Sequence, residues 1–301
     1  DGLLTRDELE AAVMPPGPVD YGALYRRRPE VLAAAFRRGW ARDAGAAADF
    51  AAQNPWAEDY ALFQALKTRF GMLPWTDWPE EALRRREPEA LASARAALEP
   101  VVCQGIYTQF LFDRQWRALR DHARGKGVRL LGDLPFYAAL DSADVWAEPQ
   151  FFLLDGELRP RAAAGVPPDA FSAEGQLWGN PLYDWEAQRA DGWGWWIRRL
   201  SAALERHDAV RIDHFRAFDS YWEVPAGAKT ARDGQWRDGP GRALLDVLRG
   251  WFPGLPLVAE DLGNLRESVH QLRRDCGFPG MRVLQFAFDA PGQSEHQPHC
   301  Y

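Results

Sequence analysis

The sequence lacks the features that would place it in several large classes of protein. Its three cysteines, Cys103, Cys276 and Cys300, are odd in number and far apart, so they predict neither a disulfide framework nor a zinc site. No apolar run reaches the roughly 18 residues that a membrane-spanning helix needs. The net charge is −7 and no long basic run is present, which argues against a nucleic-acid surface. These absences favour a cytoplasmic protein that binds neither nucleic acid nor a membrane.

Tryptophan, in contrast, is plentiful. The chain has 14 of them in 301 residues, well above ordinary usage. Such an excess is typical of proteins that bind flat apolar ligands, sugar rings included, although filling of the core explains most of these residues. The length allows one large barrel-type domain or two smaller domains.

Three short apolar runs each end in a carboxylic acid, and they say most about function. They are VRLLGD (128–133), AVRID (209–213) and PLVAE (256–260), and a fourth apolar run is RVLQFAFD (282–289). Each reads as a strand, and helical patterns separate them, which is the order of a parallel α/β protein. Because large inserts follow the ends of the strands, this α/β order favours a (β/α)₈ TIM barrel over a doubly wound sheet.

The segments between the strands predict how the chain is organised. We expect one catalytic barrel domain over residues 1–301, with a mainly helical insertion over 1–100. A second insertion, over 135–193, is dense in proline, glycine and aromatic residues and predicts a loop-rich segment at the C-terminal rim of the barrel. A further loop is expected over 225–241. Loops of this length in compact proteins are usually functional.

The second acidic strand predicts a nucleophile. Side chains alternate along a strand, so Val210 and Ile212 share one face while Arg211 and Asp213 share the other. In a barrel the charged pair would face the lumen, where Arg211 would keep Asp213 ionised, as a covalent nucleophile requires. A structural ion pair is the alternative. His214 would either bind a ligand or lie at the rim without one.

Glu260, at the third strand tip, is the candidate proton donor. The residues before it, 257–259, are apolar, and such surroundings raise the pKa of a carboxyl group, so Glu260 would hold a proton near neutral pH. Asp213 and Glu260 would then form a retaining glycosidase-type pair, with carboxyl groups roughly 5–5.5 Å apart. A salt bridge at the rim is the alternative for Glu260. Asp133, at the first tip, would orient a sugar hydroxyl or Arg211, or support the fold of the loop, and a supporting role is favoured.

The insert between residues 165 and 185 predicts a substrate-binding loop. It contains Asp169, Gln176, Trp178 and Asn180, which set hydrogen-bonding groups beside an aromatic plane. That combination suits a carbohydrate, which has hydroxyl edges and apolar faces, although packing of the loop is the alternative for the tryptophan. His296 and His299 have no supporting acid spacing, so no metal site is predicted.

Several longer motifs carry a resemblance to a known family. The matching segments, in the family's order, are LKTRFGMLPWTDWP (66–79), QFLFDRQW (109–116), GDLPFYAALDSADVWAEPQFF (132–152), AGVPPDAFSAEGQLWGNPLYDW (164–185), VRIDHFRAF (210–218), YWEVPAG (221–227), PLVAEDLG (256–263) and FPGMRVLQFAFD (278–289). The chain resembles the 4-α-glucanotransferases of the amylomaltase or disproportionating-enzyme type, glycoside hydrolase family 77, which is related to the α-amylases. The Arg-x-Asp strand is shared with α-amylases generally, whereas the insert and the AEDLG strand are more specific.

The resemblance implies roles for individual residues and a reaction. Asp213 matches the catalytic nucleophile, Arg211 its positioning arginine and Glu260 the general acid/base. His214 matches a residue that lines the donor sugar site. The remaining matches lie in a mobile loop over the substrate groove: Asp169 and Trp178. The implied enzyme cleaves an α-1,4-glucan, holds a glucosyl group on Asp213 and passes it to another sugar hydroxyl, with neither metal nor organic cofactor.

The resemblance also implies that the family's protein is longer. Its third essential acid follows a histidine on a strand beyond residues 282–289, and its first barrel strand precedes Asp1, so we expect an internal fragment with a partial barrel that is inactive alone. The alternatives are an α-amylase-type hydrolase, a Mg²⁺-dependent barrel lyase and an inactive glucan-binding fragment. In the lyase, Asp133, Asp213 and Glu260 would hold the metal, and the nearby Arg211 would repel it.

Overall fold

Two units make up the chain in the computed structural model, which describes residues 1–169, 172–263, 265–288, 294 and 296–300. The first unit comprises Asp1–Ala118 and Asp141–Ala147, and the second comprises Leu119–Leu140 and Glu148–Tyr301. Within the described ranges, no helix is both long enough and apolar enough to cross a membrane.

The first unit is built from helices. Its helices are α1 (Arg6–Ala12), α2 (Tyr21–Gln53), α3 (Trp56–Arg69), α4 (Glu81–Arg84), α5 (Pro88–Ala97), α6 (Glu99–Gly125, whose last residues belong to the second unit) and α7 (Ala143–Ala147). Local signals explain several of their starts. Thr5 and Glu8 form a reciprocal capping box before α1, and the side chain of Asp20 accepts a hydrogen bond from Ala23 N–H at the start of α2.

A buried apolar cluster and one buried polar contact hold the helices of the first unit together. The cluster consists of Leu3, Ala35, Ala47, Tyr107 and Leu111. The hydroxyl of Tyr107 donates to the buried carboxylate of Asp43 over 2.8 Å, which satisfies both groups. Gly39 leaves the space for this ring, because an added Cβ would lie 1.8 Å from the Tyr107 oxygen.

The second unit contains the strands. They are β1 (Leu131–Leu134), β2 (Ala162–Val166), β3 (Gln176–Pro181), β4 (Ala209–Ile212), β5 (Ser220–Pro225), β6 (Gln235–Asp238) and β7 (Leu257–Ala259). Its further helices are α8 (Trp185–Ala190), α9 (Gly194–Arg206), α10 (Arg242–Trp251) and α11 (Glu267–Cys276). Short 3₁₀ helices complete the chain: Trp75–Asp77, Pro149–Phe151, Phe215–Phe218, Leu284–Phe288 and Pro298–Cys300.

The parallel sheet of the second unit has the order β1-β4-β7. Asp133 pairs with Arg211, and Ile212 pairs with Ala259, so the carboxyl ends of the three strands meet at one edge. Along β4, Val210 and Ile212 are buried, whereas Arg211 is partly exposed, as the predicted alternation requires. The predicted α/β class and the first three acidic strands are therefore confirmed.

A second sheet, which the sequence did not predict, is antiparallel and has the order β3-β2-β5-β6. Its strands β2 and β3 lie within the segment 135–193, and β6 lies within 225–241. The strand β2 reads AAAGV and has no polar–apolar alternation, so it gave no strand signal. Small residues are needed there, because a Cβ added at Gly165 would lie 2.4 Å from the carbonyl oxygen of Gln176.

The predicted fourth strand over 282–289 is wrong in its described part. Leu284–Phe288 forms a 3₁₀ helix, and Asp289 lies outside the described residues. Ala259 N–H donates to the carbonyl of Pro279 over 2.9 Å, so the chain meets β7 before the predicted strand begins. Short apolar runs do not distinguish strand from helix, and Phe288 is 78% exposed, unlike a buried strand residue.

Candidate active site

Arg211 joins two carboxylates at the carboxyl edge of the parallel sheet. Its Nη1 donates to Asp133 Oδ1 over 2.5 Å, and its Nη2 donates to Asp213 Oδ1 over 2.7 Å. The third nitrogen, Nε, lies 3.1 Å from the sulfur of Met281. The planar guanidinium thus fixes the orientation of both acids. The Asp213 side chain remains 47% exposed, so its carboxylate is accessible to a ligand.

Glu260 is fixed by main-chain donors on both of its oxygens. Oε2 accepts from His214 N–H over 2.9 Å, and Oε1 accepts from Leu262 N–H over 3.0 Å. Glu260 and Asp213 directly follow the paired residues Ala259 and Ile212, so the two acids belong to adjacent strand tips. Two side-chain carboxyl groups on neighbouring strands are thereby brought to one edge.

Burial raises the pKa of Glu260 above its ordinary value. The two main-chain donors oppose this shift, the negative charge of Asp213 adds to it, and the charge of Arg211 opposes it. The direction is the one predicted from the apolar residues before Glu260. A carboxyl group with a raised pKa can hold a proton nearer to neutral pH and donate it.

His214 follows Asp213 in a left-handed backbone conformation, with φ of 53° and ψ of 45°. This turn directs its N–H towards Glu260. Its Nε2 atom is buried and has no hydrogen-bond partner among the residues that the structure describes. Burial lowers the pKa of His214 to about 4, with a smaller contribution from the charge of Arg216. The imidazole is therefore neutral near pH 7.

The strand β3 carries three of the predicted binding residues at alternate positions: Gln176, Trp178 and Asn180. Alternate residues of a strand point to the same face. Trp178 Nε1 donates to Gln176 Oε1 over 3.1 Å, and its ring meets that of His214 edge to face, with centroids 4.9 Å apart. Asn180 Nδ2 donates to the carbonyl of Ala138 over 3.0 Å, in the segment after β1. The structure thus links this strand to the site at His214.

Asp169 is exposed and binds Ser172. Its Oδ1 accepts from Ser172 N–H over 2.8 Å, and its own N–H donates to the Ser172 carbonyl over 3.0 Å. The two residues between them, Ala170 and Phe171, lie outside the described residues. Its role in substrate binding stays a prediction.

No group of three or more His, Cys, Asp or Glu side chains in the described part of the chain could hold a metal ion. Asp133 and Asp213 are instead both bound to Arg211. The chemistry available at this edge is therefore that of a fixed carboxylate, a protonable acid and a neutral imidazole.

Comparison with known proteins decides the family. The family model described as 4-alpha-glucanotransferase matches residues 1–301. The chain belongs to this family. The resemblance read from the sequence motifs is confirmed.

Relatives within the 4-alpha-glucanotransferase family are similar over almost the whole chain. The 4-alpha-glucanotransferase of Thermus thermophilus is 48% identical over 298 residues, which cover 97% of this chain and 59% of the relative. That of Aquifex aeolicus is 44% identical over 286 residues, which cover 95% of this chain and 58% of the relative. The chain therefore spans about three-fifths of the length of these relatives.

A solved structure of the same family has the same fold. The amylomaltase from Streptococcus agalactiae in complex with acarbose is 38% identical and superposes with a TM-score of 0.95. The match covers 100% of this chain and 62% of that chain. The arrangement of the parallel strands and of the antiparallel sheet is thus an arrangement that this family adopts.

Sequence reasoning missed two aromatic residues that contact the segment of His214 and Arg216. Tyr137 lies in the segment after β1, where its ring contacts Trp178 and His214, with centroid distances of 6.2 and 6.3 Å. Trp236 on β6 lies under the guanidinium of Arg216, whose Cζ is 4.2 Å from the ring centroid. The position of Tyr137, four residues after the tip acid Asp133, is the one sequence signal that could have found it.

Proposed function

We propose that the protein containing this chain is a 4-α-glucanotransferase that transfers α-1,4-glucan segments between maltodextrins by a retaining double displacement. One observation carries the proposal: Arg211 fixes Asp213 beside Glu260, a carboxyl group whose pKa is raised. The family membership of the chain and the acarbose bound by the Streptococcus agalactiae amylomaltase, an oligosaccharide-like ligand, support the substrate class.

In the first step, a carboxylate oxygen of Asp213 attacks C1 of the sugar on the non-reducing side of the scissile bond. Glu260 donates its proton to the glycosidic oxygen, which leaves with the bonding electrons as a hydroxyl of the departing glucan. A covalent glucosyl-enzyme ester on Asp213 results. Arg211 supports this step because it holds the attacking carboxylate in one orientation.

In the second step, Glu260 acts as a base. It takes the proton from a hydroxyl of an acceptor glucan as that oxygen attacks C1, and the ester bond to Asp213 breaks. The configuration at C1 is inverted twice and so retained. Glu260 is again protonated and Asp213 is again a carboxylate, so the cycle closes without a metal ion or an organic cofactor.

We assign substrate binding to the groups around these two acids: Arg211, His214, Asp133, Asp169, Gln176, Trp178 and Asn180. The ring edge of Trp178 against His214 supports this assignment, because aromatic planes beside hydrogen-bonding groups suit sugars. Asp133 acts through Arg211, which it contacts over 2.5 Å.

The proposal includes a wider architecture. The parallel strands would be part of a (β/α)₈ barrel, with a helical insertion over 1–100 and a second insertion over 135–193 at its rim. The order β1-β4-β7 with parallel pairing supports this arrangement, because successive parallel strands of a barrel pair in this way. A cytoplasmic location is also proposed, and cell fractionation tests it.

An α-amylase-type hydrolase is the second candidate, and the exposure of Asp213 favours it. With 47% of that side chain exposed, water as well as a sugar could reach the glucosyl-enzyme. Which acceptor reacts depends on how well the substrate groove excludes water. The lyase interpretation is not supported, since Arg211 binds two of the three carboxylates that would hold the metal, Asp133 and Asp213.

The test is incubation of maltotriose with the protein expressed from its complete reading frame. A transferase produces glucose together with maltodextrins longer than maltotriose, which chromatography separates. Maltose and glucose alone would identify the hydrolase, and absence of any turnover would overturn both. Addition of a chelator should leave the rate unchanged. Loss of activity on adding the chelator would instead support the metal-dependent lyase.

A further inference from the structure

The hydroxyl of Tyr137 is buried without a partner. The residue is 8% exposed, and its hydroxyl oxygen has no hydrogen bond to any residue that the structure describes. Burying an unpaired hydroxyl is unfavourable, and nearly all buried polar groups in native proteins are satisfied. The unpaired hydroxyl of Tyr137 therefore indicates that a bound ligand supplies its hydrogen-bond partner.

The ring of Tyr137 lies among the side chains of the candidate site. It stacks on Tyr183 with centroids 6.0 Å apart and meets Trp178 edge to face at 6.2 Å. His214, whose Nε2 is also buried and unpartnered, lies 6.3 Å from it. Two buried polar atoms without partners thus belong to rings that both contact Trp178, which is itself 39% exposed.

Other buried hydrogen-bond donors on nearby aromatic rings do not contact both His214 and Trp178. The indole nitrogen of Trp196 also lacks a partner among the described residues, whereas that of Trp185 interacts with the hydroxyl of Tyr221. Their close rings are those of residues such as Phe136 and Tyr183, deeper in the core. Tyr137 also packs against Phe136, with centroids 4.8 Å apart, and against Tyr183, but it differs because its ring additionally contacts both His214 and the exposed Trp178.

Both orphaned groups are uncharged near neutral pH. Burial raises the pKa of Tyr137 well above 10, so it remains an O–H donor. His214, with a pKa of about 4, is a neutral imidazole that offers one donor and one acceptor. Neutral hydrogen-bonding groups between aromatic rings suit a polyol, which brings hydroxyl groups and no charge. An anionic or cationic ligand would need a compensating charge.

We propose that Tyr137 is a substrate-binding residue whose hydroxyl donates a hydrogen bond to an oxygen of the sugar unit held at His214 and Trp178. The proposal rests on the proposed function for the identity of the ligand. The geometry of the buried hydroxyl carries the assignment of this residue, which binds sugar and takes no part in proton transfer.

The first experiment compares the melting temperatures of three ligand-free proteins, each expressed from the complete reading frame. They are the wild type, Tyr137→Phe and the matched control Tyr107→Phe. Removing a hydroxyl without a protein partner should leave the melting temperature unchanged or raise it. Removing the Tyr107 hydroxyl should lower it, because Asp43 loses a bond of 2.8 Å. An equal fall for both variants would show that the Tyr137 hydroxyl has a structural partner, which would overturn the proposal.

The second experiment measures transfer from maltotriose and from a series of its monodeoxy analogues. Tyr137→Phe should reduce kcat/KM about tenfold, the effect of one hydrogen bond. For one deoxy analogue, the wild-type protein should show the same loss while the variant shows no further loss, since the bond is already absent. Equal kcat/KM for wild type and variant, or additive losses with every analogue, would contradict the assignment. Tyr107→Phe should match the wild type with all substrates.

Binding of acarbose separates this proposal from the proposed function. If the wild-type protein transfers glucan and Tyr137→Phe binds acarbose as tightly as the wild type does, the assignment of Tyr137 alone fails. If the wild-type protein neither transfers nor binds acarbose, the proposed function fails first. Weaker binding by Tyr137→Phe with normal binding by Tyr107→Phe supports the assignment.

Discussion

The main-chain N–H of His214 donates to Oε2 of Glu260 over 2.9 Å, so the residue that follows the proposed nucleophile holds the proposed acid/base. The other oxygen of Glu260 is bound by Leu262 N–H over 3.0 Å. Because both donors belong to the main chain, a rotamer change of a neighbouring side chain does not release the carboxyl group. The acid is oriented before substrate arrives, which is what preorganised catalysis requires.

Replacement of the proposed nucleophile is the most direct test of its role. Asp213→Asn should lower kcat for maltotriose disproportionation by at least about 10³-fold, because an amide does not form the glycosyl ester. Binding of acarbose, measured by calorimetry, should survive, since Arg211 keeps its contact of 2.5 Å with Asp133.

Asp133→Asn is the matched control for this variant. It removes the other carboxylate on Arg211 and leaves Asp213 in place, so it should reduce kcat/KM by a smaller factor. Equal losses for the two variants, or loss of acarbose binding with Asp213→Asn, would indicate that Asp213 acts through the structure of the site.

The pH dependence of transfer should report Glu260. A general acid works only while protonated, so the rate of the first step should fall as the pH rises through the pKa of Glu260, which burial raises. Glu260→Gln should remove this basic limb and lower kcat with maltotriose by about 10²–10⁴-fold. With α-maltosyl fluoride as donor, Glu260→Gln should lower the rate of the first step much less, because fluoride leaves with little need for a proton.

Glu267→Gln, at a side chain that is 76% exposed on α11, is the control for this change. It should keep the wild-type pH profile and rate. A basic limb that persists in Glu260→Gln would assign the titration to another group and remove Glu260 from the role of proton donor.

The stability of the protein should depend on His214 at acid pH. The imidazole takes up a proton below pH 6.5 in the unfolded chain but only below about 4 in the folded one, so protonation favours unfolding between these values. The wild type should lose on the order of 3 kcal/mol of unfolding free energy through this group between pH 7 and 4. His214→Asn, which tolerates the left-handed backbone, should lose correspondingly less in urea titrations at the two pH values.

The NMR signal of the His214 imidazole gives an independent control. It should keep the shift of a neutral ring down to about pH 5, given a pKa of about 4. A titration centred near pH 6.5, or equal pH slopes for the wild type and His214→Asn, would contradict the burial of this ring.

Trp236 should stabilise the segment that carries His214. Its ring lies under two guanidinium groups, with Arg216 Cζ at 4.2 Å and Arg266 Cζ at 5.1 Å from the centroid. Trp236→Leu removes both cation–π contacts and should cost about 1–2 kcal/mol in urea unfolding. Trp236→Phe keeps an aromatic face and should cost less. Equal costs for the two variants would attribute the effect to lost volume rather than to the ring.

The strand tips could be predicted from the sequence because their patterns are local. Alternation in AVRID assigned Arg211 and Asp213 to one face, and an apolar run before Glu260 predicted its raised pKa. The strand β2 could not be predicted for a physical reason. The main chain of Gln176 lies so close to Gly165 that small residues are needed, and small residues give no polar–apolar alternation. The segment 284–288 was misread because its apolar residues suit either a strand or a helix.

The connections within the site could not be predicted. The bond from His214 to Glu260 depends on a left-handed backbone at a residue that is not glycine, and no spacing of residue types encodes that angle. The buried hydroxyl of Tyr137 depends on which rings surround it in three dimensions. Sequence patterns therefore indicated which residues reach the edge of the sheet, and the structure supplies the contacts among them.

The left-handed turn at position 214 has a consequence for mutant libraries. With φ at 53°, the position accepts asparagine, aspartate or glycine with little strain, whereas β-branched residues are disfavoured there. A saturation library at this site would therefore mix two effects, loss of the imidazole and displacement of the Glu260 carboxyl group. A small library restricted to those three residues would vary the side chain at this proposed sugar-binding position while Glu260 keeps its hydrogen bond from the main chain.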